Sequence, residues 1–67
     1  MSTMYVGNIV SAIESTKKNK IMVAKSQLSD IDIKLIKAFA KENNKEIIIA
    51  TMHEICFCQD GDVLIIK

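Results

Sequence analysis

The chain contains no arginine, proline or tryptophan, and all nine of its basic residues are lysines. Arginine supplies the planar, bidentate fork that reads guanine edges and grips phosphates, so its absence argues against sequence-specific reading of DNA. Lysine still holds a phosphate as a point charge, so nucleic-acid binding that does not depend on base sequence stays open. The only aromatic side chains, Tyr5, Phe39 and Phe57, are too few for a base-stacking platform.

Long apolar runs and glycine are also scarce. No run approaches the roughly 18 residues of a membrane-spanning helix. The first residues show no basic segment followed by an apolar one, so we expect a cytoplasmic protein with no membrane partner. With only Gly7 and Gly61, the chain has no glycine-rich loop that could supply backbone donors to an oxyanion. We expect no enzymatic activity, no catalytic residue and no cofactor.

The 67 residues, 49% hydrophobic and 25% charged, are typical of a single globular domain that spans residues 1–67. A chain of this length buries only about 60% of the surface that its unfolded form exposes. Its core is therefore marginal, and self-association would add stability.

The amino-terminal third predicts a helix near residues 8–18 and then a strand near residues 20–25. Four apolar residues have the spacing of one helix face: Val6, Ile9, Val10 and Ile13. Asn8 can cap this helix. An extended conformation of Met4–Val10 stays open, because a glycine and β-branched residues are poor helix formers. The following run, KIMVAK, is apolar with charged ends and suits a buried strand.

The middle of the chain predicts a helix near residues 29–43 and a strand near residues 46–51. Ser29 is the N-cap candidate, and Asp32 stands at capping-box spacing from it. A wide apolar arc follows on the helix, formed by Ile31, Leu35, Ile36, Phe39 and Ala40. The run EIIIAT is continuously apolar, as in a fully buried strand. A strand, a helix and a strand in this order indicate a parallel βαβ crossover.

The last residues predict a β-hairpin. Ile55–Gln59 and Asp62–Lys67 flank Asp60–Gly61, a dipeptide typical of the two-residue type I′ turn. With the βαβ unit, this indicates the α/β (α+β) class, in which helices pack on a small single-layer sheet.

The final strand is predicted to be an interface. It consists of Val63, Leu64, Ile65 and Ile66. Because no polar residue alternates with these side chains, both faces of the strand need cover. We expect either the first helix or another subunit to provide that cover.

His53, Cys56 and Cys58 form the cluster that most suggests a metal. On a strand both thiols would share a face, but zinc takes three or four ligands and the chain has no further cysteine or histidine. We favour core-facing thiols with a turn histidine, and predict no metal site. A Cys56 nucleophile with His53 as base would need an orienting carboxylate, for which Glu54 and Asp60 are the nearest candidates.

A stripe of lysines follows the predicted central helix: Lys34, Lys37, Lys41 and Lys45. They share one face opposite the apolar arc, Lys45 only if the helix extends that far. Such a stripe could bind successive phosphates of a nucleic acid, although a face exposed to solvent is the commoner role of surface lysines.

The sequence leaves two candidate functions. The preferred one is a non-enzymatic regulatory or inhibitory module that binds a protein partner or its own copies through the apolar strand layer. The alternative is a nucleic-acid-binding regulator that uses the lysine stripe.

Five short segments follow one another along the chain: GNIVSA at 7–12, NKI at 19–21, IKLI at 33–36, IIAT at 48–51 and DGDVLI at 60–65. In this order they resemble the RemA-type biofilm regulators, which are small ring-forming DNA-binding proteins. That resemblance implies assembly of copies and DNA binding. The helix–strand–helix–strand order of Gly7–Thr51 is also similar to the first half of kink-turn RNA-binding ribosomal proteins, which implies RNA binding.

Overall fold

Within residues 3–67, which the computed structural model describes, three short parallel strands form one sheet and three α-helices pack against it. In chain order the elements are α1 (Thr3–Ser15), β1 (Lys20–Ala24), a 3-10 turn (Lys25–Gln27), α2 (Asp30–Glu42), β2 (Glu46–Ala50), α3 (Met52–Phe57) and β3 (Val63–Ile66). The strand order is β2-β1-β3, so β2 and β3 are the sheet edges. The predicted α/β class is confirmed. No helix in this part of the chain has the length and apolar content to cross a membrane.

The central unit is the parallel β1–α2–β2 crossover that the sequence predicts. β1 and β2 pair in parallel along their whole length, in the register that places Met22 beside Ile48. The strands predicted at 20–25 and 46–51 and the helix predicted at 29–43 agree with the structure to within one residue at either end. These elements carry strong local signals, because charged or capping residues bound each apolar run.

Helix α2 is closed at both ends by local hydrogen bonds. Ser29 Oγ accepts from the Asp32 N–H at 3.2 Å, and the Asp32 carboxylate accepts from the Ser29 N–H at 3.1 Å. This is the predicted capping box. At the other end Asn44 has a φ of 59°, and the Lys45 N–H donates to the Ala40 C=O at 2.8 Å. The helix therefore ends in a Schellman motif, with asparagine in the left-handed position that glycine usually takes.

The first helix begins earlier than the sequence predicts. It covers Thr3–Ser15 instead of 8–18, so Asn8 lies inside it and the predicted N-cap is wrong. The extended alternative for Met4–Val10 is also wrong. The buried side chains of the helix stand four residues apart: Tyr5, Ile9 and Ile13. Their burial outweighs the low helix propensity of the glycine between them, because tertiary packing supplies most of the stability of a short helix.

The predicted carboxy-terminal hairpin is wrong. The segment 55–59 was expected as its first strand, but its first three residues belong to α3, and β3 pairs in parallel with β1. Helix α3 begins with a second capping box. Thr51 Oγ1 accepts from the Glu54 N–H, and the Glu54 carboxylate accepts from the Thr51 N–H, both at 3.2 Å. Asp60–Gly61 precedes β3, but neither residue has the positive φ that a type I′ turn requires.

One face of the sheet is covered by the two long helices. In β1, Ile21 and Val23 are completely buried, and they share a face because side chains alternate along a strand. Helices α1 and α2 pack against each other and join these residues in one core cluster. The helix residues of that cluster are Tyr5, Ile9, Ile13, Ile36 and Ala40. The buried side chains of both helices therefore pack together on this face of the sheet.

The second face of the sheet has thinner cover. The β2–α3–β3 connection passes back across β1, and right-handed crossovers then place α3 on the opposite face from α2. Ile55 of α3 is buried and joins Ala24 and Ala50 in the core. Across the middle of this face, Ile48, Met22 and Ile65 stand side by side in register and are only half-buried. A six-residue helix does not cover this row fully.

The apolar arc predicted for α2 is only partly buried. Ile36 and Ala40 are buried and Phe39 is half-buried. Ile31 and Leu35, which belong to the same predicted arc, are 70% and 62% exposed. Periodicity identifies an apolar stripe, but the width of the stripe that becomes covered depends on the neighbouring elements.

Tyr5 ties α1 to the carboxyl ends of two strands. The residue is 4% exposed, and its hydroxyl donates to the Ile66 C=O at 2.6 Å while accepting from the Ala24 N–H at 2.7 Å. The last paired residues of β1 and β3 are Val23 and Ile66. The hydroxyl therefore bridges the two strands at the point where their pairing ends, and satisfies backbone groups that are cut off from water.

We predict that Tyr5→Phe lowers the free energy of unfolding by about 1–3 kcal/mol, because it leaves the Ala24 N–H and the Ile66 C=O without this partner. Urea unfolding measures the change. Ser15→Ala is the matched control, since it removes an exposed hydroxyl bond to Ser11 C=O on the same helix and should cost less than about 0.5 kcal/mol. Equal stability of Tyr5→Phe and the wild type would contradict the structural role of the bridge.

Candidate functional site

The carboxyl ends of the strands, where open parallel sheets usually bind ligands, are closed by the chain itself. Such ligands occupy a crevice outside the carboxyl ends of neighbouring strands. One such crevice lies between the ends of β1 and β3, which are neighbours in the sheet. The Tyr5 hydroxyl fills it through its bonds to Ala24 and Ile66. The backbone groups at this position, the Ala24 N–H and the Ile66 C=O, are therefore already hydrogen-bonded to Tyr5.

The His53, Cys56 and Cys58 cluster does not form on a strand as predicted. His53 and Cys56 are exposed residues of α3, and Cys58 is the half-buried residue that ends the helix. The expectation that Cys56 faces the core is wrong, because the buried side of α3 is occupied by Ile55. The His53 ring instead lies 4.7 Å from the ring of Phe57, centroid to centroid. Within residues 3–67 no group of three His, Cys, Asp or Glu side chains is placed to hold a metal.

The carboxylates considered for a cysteine nucleophile are engaged in local backbone structure. Glu54 accepts hydrogen bonds from both the N–H and the hydroxyl of Thr51. Asp60 accepts from the Asp62 N–H at 2.9 Å. Each carboxylate thus stabilises the start of the element that follows it, a helix in one case and the turn before β3 in the other.

The predicted lysine stripe is present on α2. Lys34, Lys37 and Lys41 are exposed, whereas Lys45 lies beyond the end of the helix and is half-buried. At 100° per residue the three helical lysines lie within one narrow band of the surface. Ile31 and Leu35 border this band. The exposed face of α2 therefore combines positive charge with apolar surface.

A groove at the amino ends of β1 and β3 was not predicted from the sequence. Its volume is about 550 Å³, and it is lined by Lys17, Lys18, Asn19, Lys20, Asp60, Gly61 and Asp62. It contains charges of both signs on opposite sides. Residues that lie more than forty positions apart in the chain meet there because β1 and β3 are parallel, and no local pattern signals that meeting.

The sheet edges carry half-buried apolar side chains outside the fully buried core. On β3, Leu64, Ile65 and Ile66 are half-buried, and only Val63 is buried. On β2 the run Ile47–Ile49 is half-buried throughout. Strands of parallel sheets are normally covered on both faces and flanked on both sides. The predicted interface strand thus retains partly exposed side chains, although α1 reaches its end through Tyr5.

No protein-family model, curated protein or solved structure matches this chain at a significant level. The resemblances to RemA-type regulators and to kink-turn RNA-binding ribosomal proteins are not tested by these comparisons and stay predictions.

We predict that the two thiols differ in their effect on stability. Cys58→Ala should lower the free energy of unfolding by about 1 kcal/mol because the thiol is half-buried, whereas Cys56→Ala should change it by less than about 0.5 kcal/mol. Urea unfolding measures the change in stability of both variants. Elemental analysis measures the zinc content of the purified wild type. Stoichiometric zinc without added metal would contradict this assignment and indicate ligands shared between subunits.

Proposed function

We propose that this chain is a small non-enzymatic regulatory or inhibitory module that acts by binding proteins, its own copies among them, through the apolar strand layer. The observation that carries the proposal is the half-buried apolar surface of both edge strands, β2 and β3. Edge strands present unpaired backbone N–H and C=O groups, and natural proteins usually protect such edges. Here the edges combine those groups with isoleucine and leucine side chains.

The size of the domain supports the same proposal. A 67-residue chain buries too little surface to be strongly stable alone, and docking of a partner on an apolar layer adds burial. Strand addition supplies main-chain hydrogen bonds for affinity, and the alternating side chains supply specificity. The polar residues near the strands act in caps and turns, which favours a binding role over a catalytic one.

We predict that the protein is not monomeric at micromolar concentration. Light scattering after size exclusion should give a mass of at least twice the 7.5 kDa of the chain, decreasing toward that value on dilution, since association follows mass action. A mass of 7.5 kDa at every concentration up to the millimolar range would contradict self-association.

A second candidate function rests on a separate observation, the exposure of Lys34, Lys37 and Lys41 on one face of α2. We propose nucleic-acid binding through this face as the alternative. Lysine ammonium groups in a row neutralise successive phosphates without reading bases, which agrees with the lack of arginine. The net charge of +1 supplies little long-range attraction, so the protein-binding proposal remains preferred.

The two functions are separated by changing Lys34, Lys37 and Lys41 to glutamine together. If the chain binds proteins, we expect fold and self-association to stay nearly unchanged, because exposed charges contribute within about 0.5 kcal/mol. If it binds nucleic acid, the log–log salt slope should fall by about one for each lost phosphate contact. Fluorescence anisotropy with mixed-sequence DNA and RNA at two salt concentrations measures the slope.

The matched control changes three exposed lysines away from this face, Lys17, Lys18 and Lys25, to glutamine. This control removes the same total charge. If only the α2 variant loses affinity for nucleic acid, and its melting curve is unchanged, nucleic-acid binding becomes the preferred proposal.

A further inference from the structure

The bridge made by Tyr5 reveals which backbone groups of β3 face outward. The Ile66 C=O and the Ala24 N–H both bond to one hydroxyl oxygen, at 2.6 and 2.7 Å. They can do so only if they point toward each other across the gap between β3 and β1. Backbone groups of successive strand residues point to alternate sides. The N–H and C=O of Ile65 therefore point away from β1, as do the Val63 C=O and the Lys67 N–H.

We propose that this outward edge of β3 pairs antiparallel with the same edge of a second copy, about a two-fold axis centred on Ile65. This inference rests on the self-association in the proposed function and names its surface. Around such an axis the two Ile65 residues exchange N–H···O=C bonds in both directions. The Lys67 N–H of each copy meets the Val63 C=O of the other. The Val63 N–H is not needed, and it already donates to the Asp60 C=O at 3.3 Å.

The charges at the ends of β3 suit this antiparallel arrangement. Asp60 and Asp62 precede the strand and Lys67 follows it, and all three are exposed. Antiparallel pairing places the acidic end of one strand beside the basic end of the other, twice in the dimer. The lysines of the neighbouring groove belong to β1 and the loop before it, on the inner side of β3. Parallel pairing would instead place like charges together.

The other edge lacks this complementarity. Both charged residues near β2 lie at its amino end, Lys45 just before the strand and Glu46 as its first residue, and Thr51 follows its carboxyl end. The Glu46 N–H donates to the Asn19 C=O at 2.8 Å, toward β1. Antiparallel pairing of two β2 edges would therefore place both charges of each strand beside uncharged residues. The charge pattern selects β3 as the edge that a second copy occupies.

The pairing also extends an apolar row. Ile48, Met22 and Ile65 stand side by side on the thinly covered face of the sheet. Placing Ile65 beside its equivalent joins two such rows across a continuous six-stranded sheet. The Cα atoms of residues directly opposite in a hydrogen-bonded pair are about 5.5 Å apart, so the two isoleucine side chains contact each other and cover part of the half-buried surface.

The test uses charge reversal at the two ends of β3 in the full chain. Asp62→Lys and Lys67→Asp each place like charges together twice in the dimer. Each should weaken dimerisation about tenfold, as the loss of two exposed ion pairs and the gain of two repulsions would do. An equimolar mixture of the two variants should recover dimers, because opposite charges then meet at both ends. Sedimentation velocity measures the dissociation constants, and Lys45→Asp at the β2 edge is the matched control with no expected effect.

A second pair of variants tests the centre of the interface. Ile65→Lys should abolish dimers, whereas Ile48→Lys, at the equivalent register position on β2, should retain them. Thermal unfolding checks that both variants remain folded.

Two results would overturn the β3 assignment and leave self-association intact: a wild-type dimer that is insensitive to charge reversal, or a mixture no more dimeric than its components. A wild type that is monomeric at all concentrations would overturn the proposed self-association, and this inference with it.

Discussion

The hydroxyl of Tyr5 is the contact that joins the first helix to both β1 and β3. It is the one side-chain group that bonds to both β1 and β3, through Ala24 and Ile66, among the hydrogen bonds described for residues 3–67. It places the start of α1 over the ends of these strands. It also lies in the crevice outside the carboxyl ends of β1 and β3, a place where open parallel sheets often bind ligands, and its two bonds show which groups of β3 face outward. The docking of α1, the closed crevice and the outward edge of β3 thus meet at one contact.

The second constraint is that few residues are available to cover the two faces of the parallel sheet. Two thirteen-residue helices cover one face, and the six-residue α3 covers the other. Several polar side chains near the strand ends are used in holding these short elements together. Ser29 and Asp32 cap α2, and Thr51 and Glu54 cap α3. The edge strands β2 and β3 keep half-buried apolar side chains, and the proposed protein binding rests on them.

Prediction from the sequence succeeded where local signals and tertiary packing agree, and failed where two local signals compete. The βαβ unit was predicted closely, because its strands are continuous apolar runs and its helix carries a complete capping box at Ser29. The predicted hairpin is wrong because the Thr51–Glu54 pair starts a helix upstream of Asp60–Gly61, and that capping pair is an equally local signal. That error also put Cys56 and Cys58 on a strand. The groove at Asp60 and Asp62 had no local signal.

The amino-acid sequence by itself determined the fold class, the crossover and both ends of α2, because apolar periodicity and capping act over only a few residues. It also determined that the apolar run Val63–Ile66 would form a strand. Only the tertiary structure decided the start of α1, the parallel direction of β3, and the exposure of Ile31 and Leu35. Those outcomes depend on which surfaces meet across the sheet. Contacts between residues distant in the chain set them, and no local pattern encodes such contacts.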